Sequence, residues 1–239
     1  PWRSPYDAYN NNPILNIDPN GDDDGNYYDK KGNWIADDGK KDDKVYHADE
    51  KGYVSFGTGV LKESKFKEWN YTVKDPKLNE FLPTLFKHEG GYVNNKNDKG
   101  KQTNFGISKA AWEKYSMDLL GVKPTVENLG RVSKEQASKI IEVGFWTPSN
   151  ATKISDKKMG WQYFDTYYNG GWNTILNSTL EIYGANTGNK ISSLNTLLKT
   201  TNASEIFNQY KSERICRYER LIEKDPTQDV FRSGWINRA

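Results

Sequence analysis

The sequence predicts an α+β fold, mainly α, in which a small β-meander precedes a larger helical domain. Two observations carry that expectation. Residues 22–60 alternate short aromatic or β-branched strings with Asp, Gly and Lys turns, the pattern of short strands. From residue 61 onward apolar residues recur at helical spacing, with capping residues near the expected ends.

Taken in order, residues 1–21 are rich in Pro, Asn and Gly and read as an irregular connection. The candidate strands are Asn26-Tyr27-Tyr28, Asn33-Trp34-Ile35, Val45-Tyr46 and Tyr53-Val54-Ser55-Phe56, with turns such as Asp29-Lys30-Lys31-Gly32 between them. Asn20, Asp22, Asp24 and Gly25 imitate the start of a calcium loop. Its twelfth position is Lys31 rather than the Glu such a loop needs, which leaves a solvated turn. The first long helix carries Leu78, Phe81, Leu82, Leu85 and Phe86 on one face. Asp75-Pro76 or Asn79 starts it, Gly90-Gly91 end it, and Pro83 requires a late start or a kink. Ser108 caps a helix bearing Ala111, Trp112, Tyr115 and Leu119, stopped by Gly121. Ser133 and Gln136 form a capping box before Ala137, Ile140 and Ile141. Helices follow over Met159–Tyr168, Trp172–Ile182 and Ile191–Leu198, and a last long one runs from Asn202 to about Glu223.

Glu89 falls in the last turn of the first long helix, where the negative end of the helix dipole disfavours a further negative charge. A glutamic acid that keeps its proton suits protonation of a leaving oxygen. The Asn, Asp, Lys and Gly content of residues 94–102 is that of a turn, able to return Asp98 and Thr103 towards Glu89. An ionised Asp98 would orient a water or stabilise positive charge on a sugar ring. Locally, the same pattern also fits a structural helix end.

Composition narrows the classes. No run is long enough to span a membrane, and no signal peptide is present. Pro1-Trp2-Arg3 reads as the start of an excised or processed piece. The single cysteine, Cys216, excludes an internal disulfide and is expected to be a partly buried bystander. His47 and His88 are too few for a zinc site. Residues 1–60 carry a net charge of −5 and residues 61–239 a net of +7, together the chain's +2. A mildly basic second part favours approach to an anionic polymer. Nucleic acid is not the expected partner, because the basic residues are dispersed and no nucleic-acid motif occurs.

The stretch His88-Glu89-Gly90-Gly91-Tyr92 through Asp98 to Thr103-Asn104-Phe105-Gly106-Ile107 resembles the opening motif of the glycoside hydrolase 108 lysozymes, muramidases of bacteria and phages. Phe164-Asp165-Thr166-Tyr167-Tyr168-Asn169-Gly170-Gly171 resembles a later stretch of that family. Arg214, Arg217, Tyr218 and Phe231 to Arg238 resemble its Arg-rich helix and Gly-Trp-x-x-Arg ending, with Trp235 expected to pack against the catalytic half. The family's Asp-x-Gly-Gly-x-Thr is here Asp98-Lys99-Gly100-Lys101-Gln102-Thr103, without the second glycine, and residues 173–198 depart from its usual pattern.

The resemblance implies a lysozyme-like catalytic domain over 61–239. Glu89 would be its general acid, Asp98 its water-orienting base or electrostatic partner, and Thr103 a residue that positions the water. Tyr92, Asn104, Tyr168, Asn169 and Trp172 are the expected sugar contacts. Asn169 fits equally a helix C-cap, and most other aromatics, Trp112 and Trp146 among them, are expected in the core. No cofactor or metal is required. Inverting and retaining enzymes separate their carboxylates by roughly 6.5–9.5 Å and about 5–5.5 Å respectively, and the resemblance favours inversion.

Trp2 to Gly21, with its Ser-Pro-Tyr, Asn-Asn-Pro-Ile and Asp-Pro-x-Gly landmarks, resembles the terminal piece of an RHS repeat-associated core. That implies three parts: an RHS tail at 1–21, an Asp-rich β-hairpin region at 22–60, and the catalytic domain. It further implies an antibacterial toxin injected by a secretion apparatus to act on the cell wall of a target bacterium. The upstream RHS shell and a cognate immunity protein would be its partners. The alternatives are a non-catalytic peptidoglycan-binding module, a housekeeping or phage endolysin, and a chitinase. A nuclease toxin would need a His-rich or metal-ligand cluster that this sequence lacks.

Overall fold

The computed structural model describes residues 24–48, 66–94, 102–186 and 188–239. The chain divides into two compact units, Pro1–Thr72 with Glu89–Ile141, and Val73–His88 with Glu142–Ala239. The fold is α+β and mainly helical, as expected.

The first unit begins with β1 (Asp24–Tyr28), β2 (Trp34–Lys41), β3 (Val45–Ala48) and β4 (Phe66–Trp69). The β1–β2 hairpin closes as its turn residues require. The Asp29 carboxylate accepts the backbone N–H groups of Lys31 and Asn33, each at 2.8 Å, and the Asn33 side-chain amide at 2.7 Å. Beyond the hairpin the connectivity departs from a meander. The strand order is β2-β1-β3-β4, and β1 runs parallel to β3. Alternating strings announce strands but not which edges pair. Lys41, ending β2, pairs with Asp24, so the Asp42-Asp43-Lys44 link passes the start of β1 and delivers β3 to its other edge. Asp43 takes a positive φ of 52° in that link. β4 lies where helix was expected. Phe66 and Trp69 are three residues apart, a helical spacing, but antiparallel pairing with β3 overrides it. The Tyr53–Phe56 string lies outside the described residues.

The sheet is integral to its unit. Tyr27 stacks on Tyr46 at 4.6 Å and meets Phe66 edge-on at 4.9 Å. The Gly32 carbonyl accepts the backbone N–H of Lys123 at 2.8 Å and the Asn128 side-chain amide at 3.3 Å. Gly32 is required twice over. Its φ is +74°, and a Cβ would stand 2.5 Å from the Gly121 carbonyl oxygen. The Arg131 guanidinium covers the Trp34 ring at 4.1 Å.

The helices of this unit are α2 (Lys109–Tyr115), α3 (Val126–Gly130) and α4 (Lys134–Ile141). Ser108 caps α2, and a wider π-type turn, Ser116–Leu120, carries it on to Gly121, where it stops. The capping box forms as read, Ser133 N–H to Gln136 Oε1 and Gln136 N–H to Ser133 Oγ, both 3.1 Å. Thr125 caps α3, which at five residues is too short to show a period.

The second unit contains α1 (Pro76–Glu89) except for Glu89 itself, then α5 (Thr147–Ser149), α6 (Lys157–Tyr168), α7 (Trp172–Ile182), α8 (Lys190–Thr200), α9 (Ala203–Lys224) and α10 (Arg232–Arg238). α1 starts early and passes through Pro83. The Asp75 carboxylate accepts Lys77 N–H at 2.8 Å and Leu78 N–H at 3.3 Å, fixing the first turn. Pro83 and Asn79 are both exposed, so the carbonyl left without its helical partner lies on the solvent side. On the buried face Phe81 stacks on Trp161 at 5.5 Å. The Trp235 ring lies on Tyr218 at 5.1 Å and on Phe231 at 5.8 Å, both within its own C-terminal segment. Cys216 is exposed rather than partly buried, because Arg214 holds the inward position on that turn of α9. Among the described residues no helix is long and apolar enough to cross a membrane.

Candidate active site

Glu89 is the last residue of α1 and is half-buried. Gly90 follows at φ +73° with nothing near its Cβ direction, so glycine serves there as a left-handed cap. The chain then enters β5 (Val93–Asn94), β6 (Gln102–Asn104) and β7 (Ile107–Ser108), an antiparallel sheet in sequence order. Thr103 pairs with Val93, four residues past Glu89 in sequence. Asp98 lies outside the described residues.

The β6–β7 loop has positive φ at both central residues, 47° at Phe105 and 78° at Gly106, the pattern of a type I′ hairpin turn. A phenylalanine is unusual at such an angle. Its burial, at 5% exposure, offsets the backbone cost. Alternation along β6 sends Asn104 inward and Thr103 to the other face.

Asn104 corrects the sequence expectation. It is fully buried and donates its side-chain amide to the carbonyls of Leu129 and Gly130, both at 3.1 Å. It therefore ties β6 to α3 and does not touch a sugar in this arrangement. Tyr92 is half-buried, and burial, then the negative charge of Glu127, push its phenol pKa up. Glu127 is thus a carboxylate close enough to act on Tyr92. Sequence reasoning missed it because α3 gives no periodic signal.

Three expected sugar contacts fall in the second unit. Asn169 ends α6 at φ −91° and donates its side-chain amide to the Asp165 carbonyl at 2.8 Å, so its nitrogen serves as a cap. The left-handed angles fall instead on Gly170 and Gly171. Tyr168 packs edge-on to Phe145 at 4.9 Å and beside Phe164 at 5.8 Å. Trp172 meets Tyr163 edge-on at 5.7 Å and Tyr167 at 5.6 Å. These are two separate i, i+4 stripes of α6, so Tyr168 and Trp172 do not share one platform.

Asp165 carries a buried ion network. Arg214, fully buried, donates to its Oδ2 at 2.5 Å, and Arg238 donates through Nη2 to Oδ1 at 2.7 Å. Burial alone would raise the Asp165 pKa; the Arg238 hydrogen bond and the charges of both arginines reverse that and hold it below the usual range. Arg214 Nε also donates to the Tyr218 hydroxyl at 2.7 Å. The later family-like stretches thus meet in a structural node joining α6, α9 and α10.

Residues 82–171 match the family model described as Glycosyl hydrolase 108. The chain is a glycoside hydrolase. Its activity is of the lysozyme kind, directed at peptidoglycan. The matched segment begins inside α1 and ends at Gly171, so it includes Glu89, Tyr92, Asp98, Thr103 and Asn169 but leaves out Trp172. The solved structure of Brucella abortus SagA shares the fold, with a TM-score of 0.53 at 20% identity over 67% of this chain and 88% of that one. No curated protein matches the chain.

Proposed function

We propose that this glycoside hydrolase is a muramidase that cleaves the β-1,4 bond between N-acetylmuramic acid and N-acetylglucosamine, with Glu89 as general acid. One observation supports the role most. Glu89 stands at the end of α1, directly before a three-stranded sheet that pairs Thr103 with Val93, all within the family-matched segment. Asp98 is the proposed partner carboxylate that orients the attacking water or stabilises the developing positive charge, and Thr103 positions that water. Tyr92, preceding β5, is the proposed sugar contact nearest in sequence to Glu89.

The chain's setting is proposed from its first 21 residues, which lie outside the described residues and resemble the end of an RHS core. On that reading the enzyme is an antibacterial toxin, delivered with its upstream shell to the wall of a target cell and blocked in the producer by an immunity protein.

Digestion of purified sacculi tests the assignment. Wild type should release muropeptides with muramic acid at the reducing end, identified by mass spectrometry. Glu89→Gln should lower the rate at least about a hundredfold, the usual worth of a general acid. Retained activity in Glu89→Gln would remove the residue from the mechanism. Binding without products from wild type would make the chain a wall-binding module.

A further inference from the structure

We propose that the β1–β4 sheet braces the β6–β7 hairpin through α3, and that acid releases this brace at His47. The inference concerns regulation of the proposed muramidase site and rests on that reading. The sheet lies before residue 82, where the family match begins, so the match gives it no role.

α3 is held from both sides, entirely within the first unit. From the sheet, the Gly32 carbonyl accepts the Asn128 side-chain amide at 3.3 Å, and the Trp34 ring lies under the Arg131 guanidinium. Asn128 is buried and also donates to the Lys123 carbonyl at 3.0 Å, so one amide joins the hairpin turn to the segment leading into α3. From the other side, Asn104 of β6 donates to the carbonyls of Leu129 and Gly130, the two residues after Asn128. Its neighbour in β6 is Thr103, the residue proposed to position the water. The line from Gly32 to Thr103 therefore crosses a single helix of five residues. A helix that short has little stability of its own, so its place depends on what is docked to it.

His47 is the acid-sensitive point of the dock. A Cβ on Gly121 would stand 3.6 Å from its Cε1, and its ring stacks on Tyr28 at 5.5 Å. Its Nε2 is buried and, among the described residues, has no hydrogen-bond partner; the same holds for the Tyr28 hydroxyl. A protonated ring would bring a charge and a second N–H into a place without an acceptor. The surrounding groups do not compensate. β1 presents the neutral Tyr28, on which the charge of Arg131 also acts, and β4 presents Lys67, a further cation in register with His47. The turn before Gly121 carries Asp118, which is exposed. Burial accordingly lowers the His47 pKa. The undocked sheet binds the proton that the docked one refuses, so docking weakens as pH falls below the ordinary histidine value of about 6.5. With the sheet away, α3 and the Asn104 bonds it accepts lose their support.

Hydrogen exchange by mass spectrometry, corrected for intrinsic rate, is read on the full chain over residues 24–47, 102–108 and 126–131 at about pH 7.5 and about pH 5.5. In wild type the three segments should lose protection together at the lower pH. His47→Phe keeps a ring against Tyr28 but takes up no proton, and should hold them about tenfold more protected there. At the higher pH Trp34→Ala should speed exchange in 102–108 by about tenfold, although residue 34 lies outside the family-matched segment. Trp34→Phe, a milder change, serves if Trp34→Ala does not fold. Leu194→Ala, a buried change in the other unit, should leave 102–108 as in wild type and so controls for general loss of stability. Sacculus digestion should follow the exchange: His47→Phe should stay active on the acid side where wild type fails, and Trp34→Ala should lower kcat/KM by about tenfold or more. Loss of protection in 24–47 with 102–108 unchanged, or an acid loss that His47→Phe does not remove, overturns the proposal. Coupled exchange in a protein that releases no muropeptides would sink the muramidase reading and leave the brace standing.

Discussion

Both carboxylate oxygens of Asp165 are committed to guanidinium groups, and that decides what the residue does. With Arg214 fully buried and Asp165 nearly so, neither charge has water to fall back on. Removing one member leaves an uncompensated buried ion, which costs about 3–5 kcal/mol. Asp165→Asn should therefore lower the melting temperature sharply, as read by circular dichroism. If Asp165 acted in chemistry, the same variant would instead melt like wild type and lose turnover. Asn104 is likewise a motif residue whose side-chain amide N–H groups are taken by backbone carbonyls.

At the scale of elements, turns hold the first unit in register. Gly32 and Gly90 both have positive φ, but only Gly32 abuts backbone. Gly90→Ala should cost about 1 kcal/mol, the price of the angle alone. Gly32→Ala adds overpacking against residues 121–123, for a total of about 2–4 kcal/mol. Chemical denaturation of the two variants gives the comparison, and equal losses would mean that the sheet does not dock through Gly32. Four short strands order themselves around β1 because the β2–β3 link is three residues long and crosses at its start. No alternation of side chains encodes that crossing.

For the whole molecule, acid should destabilise in two stages. Burial lowers the His47 pKa, so below about pH 6.5 the unfolded chain takes up a proton that the folded chain refuses. The unfolded state then binds more protons, and stability falls as pH falls through that range. Asp165 is held below the ordinary aspartate value of about 3.9 in the folded state. Its contribution is present above that value and is lost as pH falls through the folded one. Melts from pH 8 to pH 3 should show both stages, and His47→Phe should flatten the first. A first stage unchanged in that variant would remove His47 as its source.

By itself the sequence determined the helices that are long enough to show a period and the N-caps that start them: Ser108, Ser133 with Gln136, and Asn202. Those signals are local, because a cap or a helical face needs only neighbours within a turn or two. It also determined the family-like motif around Glu89, since residue types at fixed spacing survive in one dimension. Tertiary structure alone decided the β2-β1-β3-β4 order, the burial of Asn104, the joining of Asp165 to Arg214 and Arg238, and the docking of Gly32 on Asn128. Each of these depends on contacts between residues tens of positions apart, and the chain's local preferences are the same whether or not those contacts form.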